Sequence, residues 1–152
     1  MSTRNVLRIG VLAGLAGGAA EVAWVAGYTA LTGASGLAVA RGVTTAFLPG
    51  LYDSPVAVGL GIALHMVLAV GLGVAVAAAF SAPMLRRIDG WSRSTLVVLT
   101  LGVVWAFNFM VVLPLLEPSF ITLLPLAATL ASKLLFGVAA AATFRTQRGR
   151  AI

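Results

Sequence analysis

The sequence predicts an all-α integral membrane protein, a four-transmembrane-helix bundle with a short amphipathic or re-entrant segment between helices 1 and 2. Three observations carry this expectation. Of the 152 residues, 61% are hydrophobic and 9% charged, whereas a soluble domain carries about 25% charge. Four apolar runs each supply the ~20 residues that a helix needs to cross a bilayer. The arginines gather in three clusters separated by those runs: Arg4 and Arg8, then Arg86, Arg87 and Arg93, then Arg145, Arg148 and Arg150. Only Arg41 stands apart. Basic residues flanking spans are held on the cytoplasmic side, so the pattern places both termini and the middle connection in the cytoplasm, with the chain in the cell's inner (cytoplasmic) membrane.

Four such spans use more than half of the chain, which makes residues 1–152 a single transmembrane domain with spans at approximately 7–31, 55–80, 95–113 and 119–144. No length is left between them for a soluble catalytic unit. The net charge of +6 does not point to nucleic acid, because nucleic-acid binders concentrate basic residues on a water-exposed patch and these flank the spans instead. Their expected contacts are anionic lipids. The absence of cysteine excludes disulfides, thiolate-bound zinc or iron-sulfur clusters, and thiol catalysis within this chain.

Span one, from about Leu7 to Leu31, carries Gly10, Gly14 and Gly18 at four-residue intervals. That spacing aligns them on one helical stripe, where another backbone can approach closely. Arg4, Arg8 and the Gly18-Ala19-Ala20 triplet match the outline of a signal peptide, but the apolar character continues through Trp24 and Tyr28 to Leu31. A signal h-region is only about 7–15 residues long, so a retained span is expected.

Residues 33–52 are too polar for a full crossing, yet Leu37, Ala40, Val43, Thr44, Phe47 and Leu48 recur at helical intervals. They predict a short amphipathic or re-entrant helix at the outer interface. Span two starts at Pro55, with Asp53 and Ser54 expected to cap it, and runs to about Phe80, before Pro83. Trp91 suits the membrane interface. Span three runs from about Thr95 to Leu113, where Pro114 bends or ends the helix. Pro118 suits a new first turn, and Glu117 beside it reads as a loop residue. Span four continues to about Phe144, and the short connection makes spans three and four antiparallel neighbours.

A charge at membrane depth costs at least ~2.5 kcal/mol, which singles out Glu21, His65 and Lys133, with Asn108 as the most polar uncharged companion. At ~1.5 Å per residue, Glu21 and His65 lie at matching depths of about 15 Å from the outer ends of their spans, and Lys133 at about 20 Å. Glu21 with His65 is therefore the expected direct pair, with Lys133 reaching in on its long stem. Glu21 continues the glycine face of span one; His65 follows Gly61 by four residues; Lys133 lies between Thr129 and Gly137 at four-residue intervals. All three face other helices rather than lipid. Trp24, Tyr28, Arg41, Trp105 and Thr129 are candidates to line an adjoining cavity.

The glycine pairs Gly59/Gly61 and Gly71/Gly73 sit in an apolar span and read as packing positions, not phosphate loops. No catalytic constellation emerges, and the chain is expected not to be an enzyme. The expectation is a non-enzymatic structural or accessory component of a membrane assembly, with a Glu21/His65/Asn108/Lys133 network, without cofactor, contacting lipid and either itself or another membrane protein. One alternative is an oligomeric proton or small-ion channel or transporter that uses the network. Another is a haem- or metal-binding subunit through His65, a single imidazole that supplies one axial ligand.

Overall fold

A computed structural model describes residues 2–82, 85 and 88–149, and among them the only regular structure is helical. Five helices are labelled α1 (Thr3–Thr32), α2 (Gly36–Phe47), α3 (Ala57–Ala79), α4 (Gly90–Leu116) and α5 (Leu126–Gly149), with a short 3-10 helix at Pro118–Thr122. All but α2 are long and apolar enough to cross a membrane. The fold is a four-helix membrane bundle. Pro83, Arg86, Arg87 and Arg150 lie outside the described residues.

The helix ends follow local chemistry. Ser2 accepts the amide of Asn5 at 3.4 Å, which starts α1 before Leu7. Its other end is closed by Gly33 at φ 75°, whose N–H returns to the Thr29 carbonyl, the left-handed turn that glycine adopts without strain. Ser35 caps α2 through the Ala38 amide at 3.1 Å. The expected cap of span two differs: α3 starts at Ala57, and neither Asp53 nor Ser54 caps it. Ser54 instead closes the preceding turn, accepting Val56 N–H on its hydroxyl and Ala57 N–H on its carbonyl.

Asp89 starts α4 five residues before the expected Thr95, accepting the amides of Trp91 and Ser92 at 2.9 and 3.0 Å. Hydrogen bonding from Ser92, side chain first and then amide, holds its carboxyl below the usual range. That support is present above the ordinary carboxylate pKa and is lost as the pH falls through the lowered one. Pro114 does not end α4. The chain widens into a π-helical turn at Asn108–Val112, with Leu113 N–H bonded to the Asn108 carbonyl, and regains α geometry over Leu113–Leu116. A wider turn makes room for a proline ring that clashes with the carbonyl four residues back in a regular helix. Span four starts at Leu126, not 119, because Pro118 opens the separate 3-10 helix and Pro125 interrupts the chain again. The residue before a proline is biased out of α geometry, and Glu117, before Pro118, is extended at φ −150°.

Antiparallel neighbours are joined along small-residue seams. α1 packs against both α3 and α5, α5 against α4, and α2 against α3. A Cβ on Gly10 would lie 2.6 Å from Val74 Cα, and one on Gly14 would lie 2.5 Å from Val70 Cα, so these glycines allow α1 and α3 to touch backbone to backbone. Gly18 meets Ala69 and Met66, and Gly17 receives the ring of Phe136 from α5. Gly61 takes the Ala40 carbonyl of α2, while Gly137 sits against Val98 of α4. The core is formed by Ala13, Ala69, Val76, Phe80, Val97, Leu101, Phe136, Ala140 and Ala141.

α2 closes one end of the bundle. Its apolar stripe is divided: Leu37, Phe47 and Leu48 are exposed, whereas Thr44 is fully buried and its hydroxyl donates to the Ala57 carbonyl. Gly42 packs on Phe120 and Leu123 of the α4–α5 connection.

Side-chain addition to the α1–α3 seam is expected to be costly. Gly14→Leu should destabilise the bundle by ~1–3 kcal/mol or more, the range for overpacking, because the obstacle is backbone. Gly71→Leu, where an added Cβ meets nothing within 4 Å, should leave thermal unfolding in mild detergent unchanged.

Candidate functional site

Glu21 is on α1, the helix that contacts both α3 and α5, and the glycines one and two turns before it bring those neighbours close. Its residue exposure is 5%. Lys133 of α5 places Nζ 2.7 Å from Glu21 Oε1, and His65 of α3 places Nε2 3.6 Å from Oε2. Three helices thus converge on one carboxylate. Lys133 Nζ also lies 5.1 Å from the ring centre of Phe136, so the ammonium has a carboxylate and an aromatic face as company. Such an aromatic contact adds ~0.5–1 kcal/mol or more once desolvated.

The expected order of partners is reversed: Lys133, not His65, is the direct partner of Glu21. Depth along the helices does not decide it: counted from the helix ends, Lys133 lies about 10 Å along α5, His65 about 12 Å along α3 and Glu21 about 16 Å from the end of α1, and the long lysine stem closes the larger difference. Glu21 Oε2 and His65 Nε2, both buried, each lack a hydrogen-bond partner among the described residues. Their separation exceeds a hydrogen bond.

Asn108 does not join them. It begins the π turn of α4, whose packing partner is α5 rather than α1, and makes no hydrogen bond with Glu21, His65 or Lys133. The aromatic candidates act as anchors instead. Trp24 Nε1 donates to the Ala128 carbonyl at 2.9 Å, one turn beyond the Glu21–Lys133 contact. Trp105 Nε1 donates to Thr129 Oγ1 at 3.0 Å, and Thr129 in turn donates to the Leu126 carbonyl. Tyr28 neighbours Trp24 with ring centres 6.3 Å apart. Arg41 lies away from the carboxylate, its guanidinium 5.7 Å from the ring centre of Tyr52. Buried indole N–H groups need such acceptors.

His65 directs Nε2 at a carboxylate, and among the described residues no three His, Cys, Asp or Glu side chains cluster as a metal site. Two residues carry roles that sequence reasoning missed. Arg93 reads as an orientation signal, yet it is buried and its guanidinium donates to the Phe80 carbonyl at the end of α3. A cation there completes exposed C-terminal carbonyls and opposes the negative end of the helix dipole. Phe136 reads as one more apolar residue, yet it fills the gap at Gly17 and touches the lysine; its three-residue spacing from Lys133 was the available signal.

Comparison with family models, curated proteins and solved structures gives no match.

Removing one partner of a buried ion pair leaves an orphan charge, which costs ~3–5 kcal/mol, whereas replacing both is often nearly neutral. Lys133→Met is therefore expected to destabilise the protein by that amount, and Glu21→Gln with Lys133→Met to recover most of it. Unfolding of the single and double variants in a common detergent measures the coupling.

Proposed function

We propose that this chain is a non-enzymatic, small multi-pass membrane protein that serves as a structural or accessory component of a membrane assembly. The observation that supports this reading best is the 2.7 Å contact of Lys133 with Glu21 between glycine-packed helices. Both charges are spent on each other, and the pair joins the helix that touches both α3 and α5 to the helix that contacts α4. Trp24 and Trp105 fasten α5 at neighbouring levels. The chemistry inside the bundle holds shape. The outward faces, with Leu7, Val11, Leu15, Val67, Leu99, Val103 and Val138 exposed, meet lipid or the helices of a partner.

In the proposed orientation, the α1 start, the α3–α4 connection and the α5 end face the cytoplasm of the inner membrane. The arginine distribution supports this, and the antiparallel neighbours put those three regions at one end of the bundle.

A second reading is favoured by one observation. The other half of the carboxylate, Oε2, faces His65 Nε2 at 3.6 Å, and among the described residues neither atom has a hydrogen bond. An acid and an imidazole at that distance can share a proton or a small cation, and ionisable groups at membrane depth are frequent elements of ion paths. In this reading the bundle conducts as an oligomer.

The two readings separate in reconstituted vesicles. For the structural reading, wild-type protein carries no pH-driven flux, and both Glu21→Gln and His65→Ala alter thermal stability or co-purification in mild detergent. A flux in the wild type that Glu21→Gln abolishes at unchanged stability would establish conduction instead. Reporter fusions at Gly90 and at the C-terminus are expected on the same, cytoplasmic side.

A further inference from the structure

On the outside of the bundle, α4 and α5 leave a cleft of about 370 Å³ between them, away from the Glu21 site. Its floor is apolar, made of Val98 and Leu99 from α4 and Val138, Ala141 and Ala142 from α5. Ser94 and Thr95 border it, but their hydroxyls are turned back onto their own helix, donating to the Gly90 and Trp91 carbonyls at 2.9 and 3.1 Å. Leu99 and Val138 are both more than half exposed. The cleft thus offers an aliphatic surface and no polar competitor along its length.

Its rim is different. Trp91, in the first turn of α4, is 73% exposed, and the Arg145 guanidinium carbon lies over its ring, 4.3 Å from the centroid. A cation-π contact uses up no N–H hydrogen bond, and the guanidinium's N–H fork matches two oxygens of a phosphate. Among the described residues none accepts a hydrogen bond from Arg145. Arg145 lies 19 residues along α5 from Leu126, about 28 Å at helical rise, close to the ~30 Å thickness of a bilayer's hydrocarbon core. A tryptophan and an arginine at that level stand among headgroups.

We propose that this cleft seats one anionic phospholipid, its phosphate held by Arg145 on the Trp91 platform and an acyl chain lying along Val98, Leu99, Val138 and Ala142. Charge complementarity selects the occupant. A neighbouring apolar helix in the same place covers the guanidinium and supplies no acceptor, whereas a lipid phosphate supplies two oxygens to its N–H fork. A neutral zwitterionic lipid carries a phosphate too, but its own ammonium opposes the arginine, so anionic headgroups are preferred.

The test is native mass spectrometry of the full chain in detergent, titrated with phosphatidylglycerol or with phosphatidylcholine, alongside thermal unfolding. Wild-type protein is expected to retain phosphatidylglycerol over phosphatidylcholine. Arg145→Gln should weaken phosphatidylglycerol binding about fivefold, the share of one interfacial arginine, and remove the preference. Ala142→Trp, which fills the cleft from an exposed position, should weaken both lipids. Leu99→Trp blocks the same cleft from α4, so the outcome does not hang on the folding of one variant. Thr122→Val, in the 3-10 helix at the other end of the bundle, should bind as wild type.

Equal binding of the two lipids, wild-type binding by Arg145→Gln or by both blocking variants, or equal protection by inorganic phosphate without lipid would overturn the proposal. So would a dimer that the blocking variants dissociate irrespective of lipid charge, since a second copy would then be the occupant.

Discussion

A carboxylate carried into the hydrocarbon region sets the terms for everything around it. Glu21 is there uncompensated by water, so a cation has to reach it, and the only lysine in the chain does so from another helix. Membrane helices gain little from hydrophobic association, since lipid tails are as apolar as the side chains. Association then rests on close packing and on polar contacts, and here the two are linked. The glycines that precede Glu21 on α1 narrow the gap to α3 and α5, and that narrow gap is what lets a lysine and a histidine approach the same carboxylate.

The same helix therefore works as an axle. One stripe of α1 is given to backbone contact with α3, a second receives Phe136, and Trp24 reaches α5 at the next level. α4 is attached through α5, by Gly137 against Val98 and by Trp105 on Thr129. Arg93 adds a clasp from α4 back to the end of α3. Polar side chains in this protein mostly satisfy backbone carbonyls of a neighbouring or the same helix. That is economical where no water is present to do it.

Much of this could be read from sequence because two signals are strong in lipid. Span number follows from run length and composition, and the glycine stripe and the three ionisable residues follow from four-residue spacing. Pairing did not follow, for a local reason. Depth along the helices ranks His65 nearer to Glu21 even with α5 starting after Pro125, and the 2.7 Å contact of Lys133 is decided by the reach and swing of its four-carbon stem, which helix register does not show. Asn108 was misplaced because polarity says nothing about which helix faces which. Arg93 was hidden because a basic residue beside a span has an adequate explanation in orientation alone. The start of α4 was hidden likewise, since Asp89 caps a turn that carries Trp91, Ser92 and Arg93, residues more polar than the span they begin.

The wide turn in α4 carries a consequence of its own. A π turn accommodates one residue more than the regular ladder, so the segment Asn108–Val112 acts as a stored insertion next to Pro114. Its side chains at Met110 and Val111 are exposed and free to vary in identity. Its length is not free: losing one residue tightens the ladder, swings Leu113 off its buried side, and drives the pyrrolidine ring into the carbonyl before it. Sequence drift in this stretch is therefore bounded by residue number far more than by residue type.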